Sequence, residues 1–258
     1  MRKKAVLIGC ILAVALPATL VMATENKITA DDVLAMVDEN LLKVEDSTYL
    51  VDLSVVRSKK VVKTMQFKVI LKGLFKKHIT FLAPGDLAGT AIVTTDDKVT
   101  YVYMPAYGKV RRVASHVNNQ GFMGTDISGE ELGSAALSEG WKASIIKDDD
   151  TDWTLKLVPD GSNNSTFSKM IVTVSKAYRG VVQIDSYNAE GKKVKTQVRT
   201  NWKAFSDDSG KTSVTMPTEF TVTDHLTGSK TQMKFTECKV NQHVSDSIFT
   251  RRALMRGN

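Results

Sequence analysis

The sequence predicts a single, mainly β domain with a few helices (α+β), in which an antiparallel sheet curls on itself. Three observations support this fold class: apolar and polar residues alternate along many short segments, turn residues separate these segments, and one amphipathic helix precedes them. Alternation with a period of two is typical of a strand that is buried on one face. Ten or so such strands joined by tight turns form an antiparallel meander that tends to curl.

The first 23 residues have the features of a cleavable export signal. Three basic residues at positions 2–4 precede an apolar run that is interrupted by Pro17 and closed by small residues up to Ala23. We therefore expect cleavage after Ala23 and one mature domain over residues 24–258. Two alternatives stay open, because the run approaches the length of a membrane-spanning helix and Cys10 closes a segment with the letters of a lipoprotein box.

Charge and cysteine content argue against a nucleic-acid-binding protein and against a fold stabilised by disulfides. Removing the three basic residues of the signal from the 35 in the chain leaves 32 against 28 acidic residues. This small excess, without a basic element carrying aromatic platforms, does not support nucleic-acid binding. Cys238 is the single cysteine after residue 23, so we expect no internal disulfide and a fold that depends on its core.

Residues 28–42 are predicted to form an amphipathic helix that packs on the sheet. Thr29, followed by Asp31 and Asp32, is typical of a helix start. The apolar residues that follow at helical spacing are Val33, Met36, Val37 and Leu41.

The alternation predicts strands along most of the remaining chain. In the first strand, Tyr49, Val51 and Leu53 share one face, while Asp52 and Ser54 share the other. Further strands are predicted at 64–71, 153–157, 170–175, 182–186, 194–205, 220–223 and 231–240. Turn residues lie at 84–86, 95–97, 159–161, 189–191, 207–210 and 226–228.

Residues 99–132 depart from plain alternation, and the most informative motifs lie in this segment, just before it and near the C-terminus. These are Phe81-x-x-Pro84 with Gly89-Thr90, Tyr101-x-Tyr103-x-Pro105, Arg111-Arg112 and Phe122-Met123-Gly124-x-Asp126, followed near the C-terminus by Lys239-Val240-Asn241 and Ser247-Ile248-Phe249. In combination they resemble the outer membrane lipoprotein-sorting family, which is LolA-like. The resemblance covers nearly all of the chain after residue 23.

The resemblance implies a periplasmic carrier with a strongly curved antiparallel sheet that forms an incomplete barrel covered by helices. Acyl chains of lipids or lipoproteins would bind on its concave apolar face, without enzymatic activity and without a cofactor. Its partners would include an inner-membrane transporter of the resistance-nodulation-division type and an outer-membrane acceptor, with transient membrane contact.

Candidate site residues follow from the same motifs and from the strand pattern. The candidates for lipid contact are Phe67, Phe81, Tyr101, Tyr103, Pro105, Phe122, Met123 and Leu155, and those for headgroup or partner contact are Arg111, Arg112 and Asp126. Adjacent strand residues face opposite ways, so at most one of the two arginines points into a cavity. Three alternatives stay open: wall positions for the tyrosines, a surface pair for the arginines, and a helix cap for Asp126.

An enzyme is not supported by the distribution of reactive side chains. The four histidines are scattered singly, and the chain has no metalloprotease or hydrolase motif. Asp148 to Asp150 lack the glycine and the distant glutamate of a calcium-binding loop. Two hypotheses remain beside the carrier: a binding or assembly protein at the outer membrane without lipid cargo, and an unrecognised hydrolase.

Overall fold

The computed structural model describes residues 27–113, 121–128, 137–162 and 165–256. The predicted signal, residues 1–23, lies outside these ranges. Glu130 also lies outside them, so the alternative role of Asp126, as the cap of a helix that includes Glu130, stays a prediction. Within them, no helix combines the length and the apolar character needed to cross a membrane.

The predicted helix is confirmed as α1, Ala30–Leu41. The hydroxyl of Thr29 accepts a hydrogen bond from the backbone N–H of Asp32 at 3.2 Å, and the Asp32 carboxylate accepts one from the Thr29 N–H at 2.9 Å. This reciprocal pair satisfies two backbone donors at the start of the helix. Its apolar side, with Val33, Leu34 and Val37, is buried.

The strands form one antiparallel sheet with the order β6-β5-β4-β3-β2-β1-β13-β12-β11-β10-β9-β8-β7. The strands are β1 (Asp46–Arg57), β2 (Lys60–Lys72), β3 (Lys76–Ala83), β4 (Ala91–Thr94), β5 (Thr100–Met104), β6 (Lys109–Arg112), β7 (Trp141–Asp148), β8 (Asp152–Pro159), β9 (Lys169–Ser175), β10 (Gly180–Tyr187), β11 (Lys193–Ser206), β12 (Ser213–Asp224) and β13 (Lys230–Val240). The predicted β-rich meander is confirmed as a curved, open sheet. Its first and last strands pair at the centre, which leaves β6 and β7 as the two edges.

Strand register assigns one face of the sheet, which we call the apolar face, across its whole width. Residues directly opposite each other in an antiparallel pair share a face. Two such rows of pairs are Phe67, Val51 and Phe235, and Leu155, Val172, Ile184, Gln197 and Val222. The other side, which we call the opposite face, bears Asp52, Gln66 and Lys234 at the centre.

Two helices within the described residues pack on different faces of the sheet. Val33, Leu34 and Val37 of α1 pack on the apolar face of β8–β10, in one cluster with Leu155, Leu157 and Val172. The second helix, α2 (Arg251–Arg256), follows a short 3-10 helix (Asp246–Phe249) and contacts β4, β5 and β6. There Phe249 and Leu254 pack with Ala91 and Val93 on the opposite face. The curved open sheet is therefore confirmed, whereas an incomplete barrel covered by helices remains a proposal.

Candidate functional site

The apolar face is filled at its centre by a tightly packed cluster. Phe67 and Phe81 are almost fully buried, with ring centres 5.3 Å apart, and the ring of Phe122 lies 5.9 Å from that of Phe81. Ile127 is buried in the same cluster. Phe122 and Ile127 belong to a segment, residues 121–128, that lies across the apolar face, and we call it the strap.

Polar contacts fasten the strap to the sheet. The backbone N–H of Asp126 donates to the hydroxyl of Thr231 at 2.9 Å, and its carboxylate accepts hydrogen bonds from Thr231 at 2.8 Å and from Ser229. The ammonium of Lys63 donates to the carbonyl of Met123 at 2.6 Å. At the start of the strap, a Cβ on Gly121 would lie 2.3 Å from the carbonyl oxygen of Thr125, so this close approach requires glycine.

The apolar face also carries a set of half-buried side chains on its central strands, which we call the strip. Its members are Tyr49, Phe205, Met216, Phe220 and Phe235, on β1 and β11–β13. The rings of Tyr49 and Phe235 meet edge to face, with centres 5.2 Å apart. Tyr49, Phe220 and Phe235 adjoin the buried central cluster, and Phe205 and Met216 adjoin a smaller buried cluster. All five side chains are only half-buried, so the strip keeps apolar surface that a ligand could contact.

Burial controls the ionisation of the polar groups beside the strip. It raises the pKa of the Tyr49 hydroxyl and raises the pKa of the Cys238 thiol to about 11. Both groups therefore stay neutral at physiological pH, which fits a structural thiol. Arg199 lies opposite Phe220 on the same face, and burial lowers the pKa of its guanidinium to about 10, so it stays charged.

The structure brings only some of the predicted lipid-contact residues together. Phe67, Phe81, Phe122 and Met123 meet in the central cluster, whereas Leu155 lies apart beneath α1. Tyr101 and Tyr103 lie on the opposite face, where they pack with the C-terminal segment, and Pro105 is exposed. A role of these residues in lipid binding stays a prediction.

The arginine pair lies on the edge strand β6, with both side chains exposed. Arg111 pairs with Val102 and Arg112 with Tyr101, so the two side chains face opposite sides of the sheet, as strand geometry requires. Asp126, the third predicted polar residue, lies in the strap and forms its hydrogen bonds with Ser229 and Thr231.

A polar groove lies on the opposite face. It has a volume of about 700 Å³ and is lined by side chains such as Asp52, Gln66, Glu219 and Lys234. Acyl chains bind where water is excluded by apolar side chains, so this groove does not suit them. The strip therefore remains the candidate site.

Asp38 is a buried carboxylate on α1 whose ionisation opposes folding. One of its oxygens accepts a hydrogen bond from Ser138, while the other has no partner among the described residues. Burial raises the pKa of the carboxyl above its ordinary value of 3.8. The charge is therefore unfavourable in the folded state at neutral pH, and this effect disappears as the pH falls through the folded-state pKa.

Asp38→Asn is expected to raise the free energy of unfolding at pH 7 by about 1 kcal/mol, because it removes a buried charge and keeps an acceptor for Ser138. The gain should shrink as the pH falls through the raised folded-state pKa and approach zero well below 3.8, where the wild-type carboxyl is neutral in both states. Urea denaturation at several pH values measures both effects. Glu39→Gln, which removes an exposed charge from the next residue, serves as the control. A gain that is independent of pH would contradict the explanation.

Comparisons with known proteins agree on this fold. A family model with the description "Uncharacterized protein" matches residues 73–256. No curated protein matches the sequence. A solved structure of a DUF1329 family protein from Desulfovibrio piger superposes with a TM-score of 0.77 at 22% identity, covering 87% of this chain and 97% of that one.

Two further solved structures carry names from the predicted family. A domain from Vibrio parahaemolyticus, named for outer membrane lipoprotein sorting, superposes with a TM-score of 0.74 at 22% identity, covering 88% of this chain and 100% of that one. A LolA superfamily protein from Nitrosomonas europaea gives a TM-score of 0.68 at 17% identity, covering 88% of this chain and 99% of that one. The resemblance inferred from the sequence motifs is thereby confirmed at the level of the fold.

Proposed function

Because the chain belongs to the family whose model spans residues 73–256 and has a fold shared with proteins named for lipoprotein sorting, we propose that it is a periplasmic carrier of acyl chains. The cargo is a lipid or a lipoprotein, bound on the apolar face and delivered toward the outer membrane. The predicted export signal supports the location. The observation that carries the proposal is the strip, a set of half-buried aromatic and apolar side chains beside two buried clusters on the apolar face.

Passive binding can supply the affinity that a carrier needs. Each buried methylene contributes about 0.8 kcal/mol, so a sixteen-carbon chain gains roughly 12 kcal/mol before costs. Loss of translational freedom and ordering of the chain reduce this value considerably. A cargo held at such affinity passes to an acceptor that offers a better-fitting apolar site.

The cover of this site would be formed by α1 and the strap. Both lie on the apolar face, and both are fastened by polar contacts at their margins, from Ser138 to Asp38 and from Lys63 to Met123. In our proposal the cargo lies along the strip between these two elements, and a small displacement of either one widens the site. An inner-membrane exporter of the resistance-nodulation-division type and an outer-membrane acceptor, implied by the resemblance, are its proposed donor and recipient.

One observation favours a second candidate, a binding or assembly protein without lipid cargo. Phe67, Phe81 and Leu155, which the sequence suggested as lining residues, are already enclosed by the protein's own side chains. In this alternative the polar groove on the opposite face, rather than the strip, meets the partner.

Titration of the delipidated protein with a fluorescent long-chain fatty acid separates these two functions. The carrier function predicts saturable binding at about micromolar concentration or below. An unlabelled fatty acid of sixteen carbons should compete more strongly than one of eight carbons, because affinity rises with each buried methylene. Absence of saturable binding would favour the protein without cargo.

A further inference from the structure

Arg199 is a charged side chain on the apolar face. Its strand position pairs with Phe220, which in turn pairs with Met233 of the central cluster. The guanidinium carbon lies 5.7 Å from the centre of the Phe220 ring, and the side chain is half-buried. Within the part of the chain that the structure describes, no carboxylate forms an ion pair with it.

Three other cations that lie at or on this face, unlike Arg199, have a backbone partner or can lose their charge. Lys63 donates to the Met123 carbonyl, and Arg57 donates to the Gly124 carbonyl at 3.3 Å. Burial lowers the pKa of Lys77 to about 8, so mild alkaline pH removes that charge. Arg199 keeps its charge throughout this range, since the pKa of its guanidinium is lowered only to about 10. A desolvated cation without a partner is unfavourable, and an incoming anion relieves this cost.

Strand β11 carries a second positively charged side chain, Lys203, beside the strip. Lys203 lies on the same face of β11 as Arg199, about 13 Å further along the strand, and its side chain is exposed. Phe220 and Met216, which pair with Arg199 and Lys203 respectively, are members of the strip. Apolar side chains and cations therefore lie next to each other, which is the arrangement that an anionic amphiphile requires.

We propose that Arg199 binds the anionic headgroup, a phosphate or a carboxylate, of the amphiphile whose acyl chain lies along the strip, so that the cargo is acidic rather than neutral. The guanidinium group suits this role because it forms paired, charge-assisted hydrogen bonds with the oxygens of either group. This inference rests on the proposed function and specifies its substrate class.

Binding of two amphiphiles with the same chain, dodecyl phosphate and dodecanol, tests the inference on the full-length mature protein. We expect wild type to bind dodecyl phosphate at least about tenfold more tightly. Arg199→Gln should reduce this preference to less than about threefold, and Arg199→Lys should retain part of it. Lys156→Gln, an exposed cation on the opposite face, is the matched control and should keep the full preference.

The possible failures are distinguishable. If neither amphiphile binds, the proposed function fails, and this inference fails with it. If both bind equally, or if Arg199→Gln keeps the preference, acyl binding stands and the inference alone is overturned. Inorganic phosphate should not displace dodecyl phosphate when both are present at the concentration at which dodecyl phosphate saturates the protein. Equal competition would show a site for free anions instead.

Arg199→Gln should unfold at no lower urea concentration than wild type, because it removes an uncompensated charge. An essential structural role for Arg199 would lower that concentration.

Discussion

Leu155→Ala is expected to lower the free energy of unfolding by about 3 kcal/mol, within the range measured for fully buried leucines. Leu155 is completely buried in the cluster that joins α1 to β8–β10. The lost methylene groups leave a cavity between the helix and the sheet, and the surrounding side chains fill it only partly. Urea denaturation followed by circular dichroism measures the change.

Ile146→Ala provides the control for Leu155→Ala. Ile146 lies on the adjacent strand β7 and is 54% exposed, so its truncation should change stability by less than about 0.5 kcal/mol. A Leu155→Ala variant that keeps wild-type stability but loses acyl binding would place Leu155 in the site, as the sequence suggested. Loss of stability with binding retained at low urea would place it in the core.

Glutamate at both Phe220 and Phe235 is expected to reduce acyl-chain affinity by at least about a hundredfold, or roughly 3 kcal/mol. Both rings are half-buried members of the strip, so carboxylates there can reach water in the free protein but must be desolvated when a chain binds. Titration with the fluorescent fatty acid measures the loss.

Leu226→Glu is the matched control for this pair of substitutions. It lies in the turn between β12 and β13 and is 61% exposed, so the same new charge should leave binding unchanged. Circular dichroism of the double variant must show the wild-type β-sheet spectrum for the comparison to hold. Wild-type affinity in a folded Phe220→Glu, Phe235→Glu variant would exclude the strip as the binding site.

Local sequence signals were sufficient to predict the elements that have one buried face and one exposed face. Thr29 and Asp32 mark the start of α1, and the alternation from Tyr49 to Val55 marks β1, because polar and apolar neighbours have different surroundings there. Strands β3, β4, β5 and β7 were not among the predicted strands, and β6 was anticipated only as the strand that carries the arginine pair. In β4 all four residues are buried, since Ala91 and Val93 pack against the C-terminal segment while Ile92 packs in the central cluster, so no alternation arises. In β7 a register shift after Ile145 interrupts the pattern.

The candidate site depends on pairings between distant parts of the chain, which one sequence does not reveal. Tyr49 meets Phe235 only because the first and last strands pair, and Arg199 is recognisable as an unpaired cation only once β12 is placed beside it. Tyr101 and Tyr103 show the same limit, since the sequence revealed their motif but not the face of the sheet that they occupy. The motifs indicated the family and fold, whereas the strip required the register of the sheet.

Native mass spectrometry of the protein, purified without detergent, tests most directly the claim that the chain carries an acyl cargo. The account predicts a stoichiometric amphiphile bound to the wild-type chain, released at high collision energy, and absent from the Phe220→Glu, Phe235→Glu variant. A wild-type protein that carries no lipid on isolation and takes up none from vesicles would contradict it.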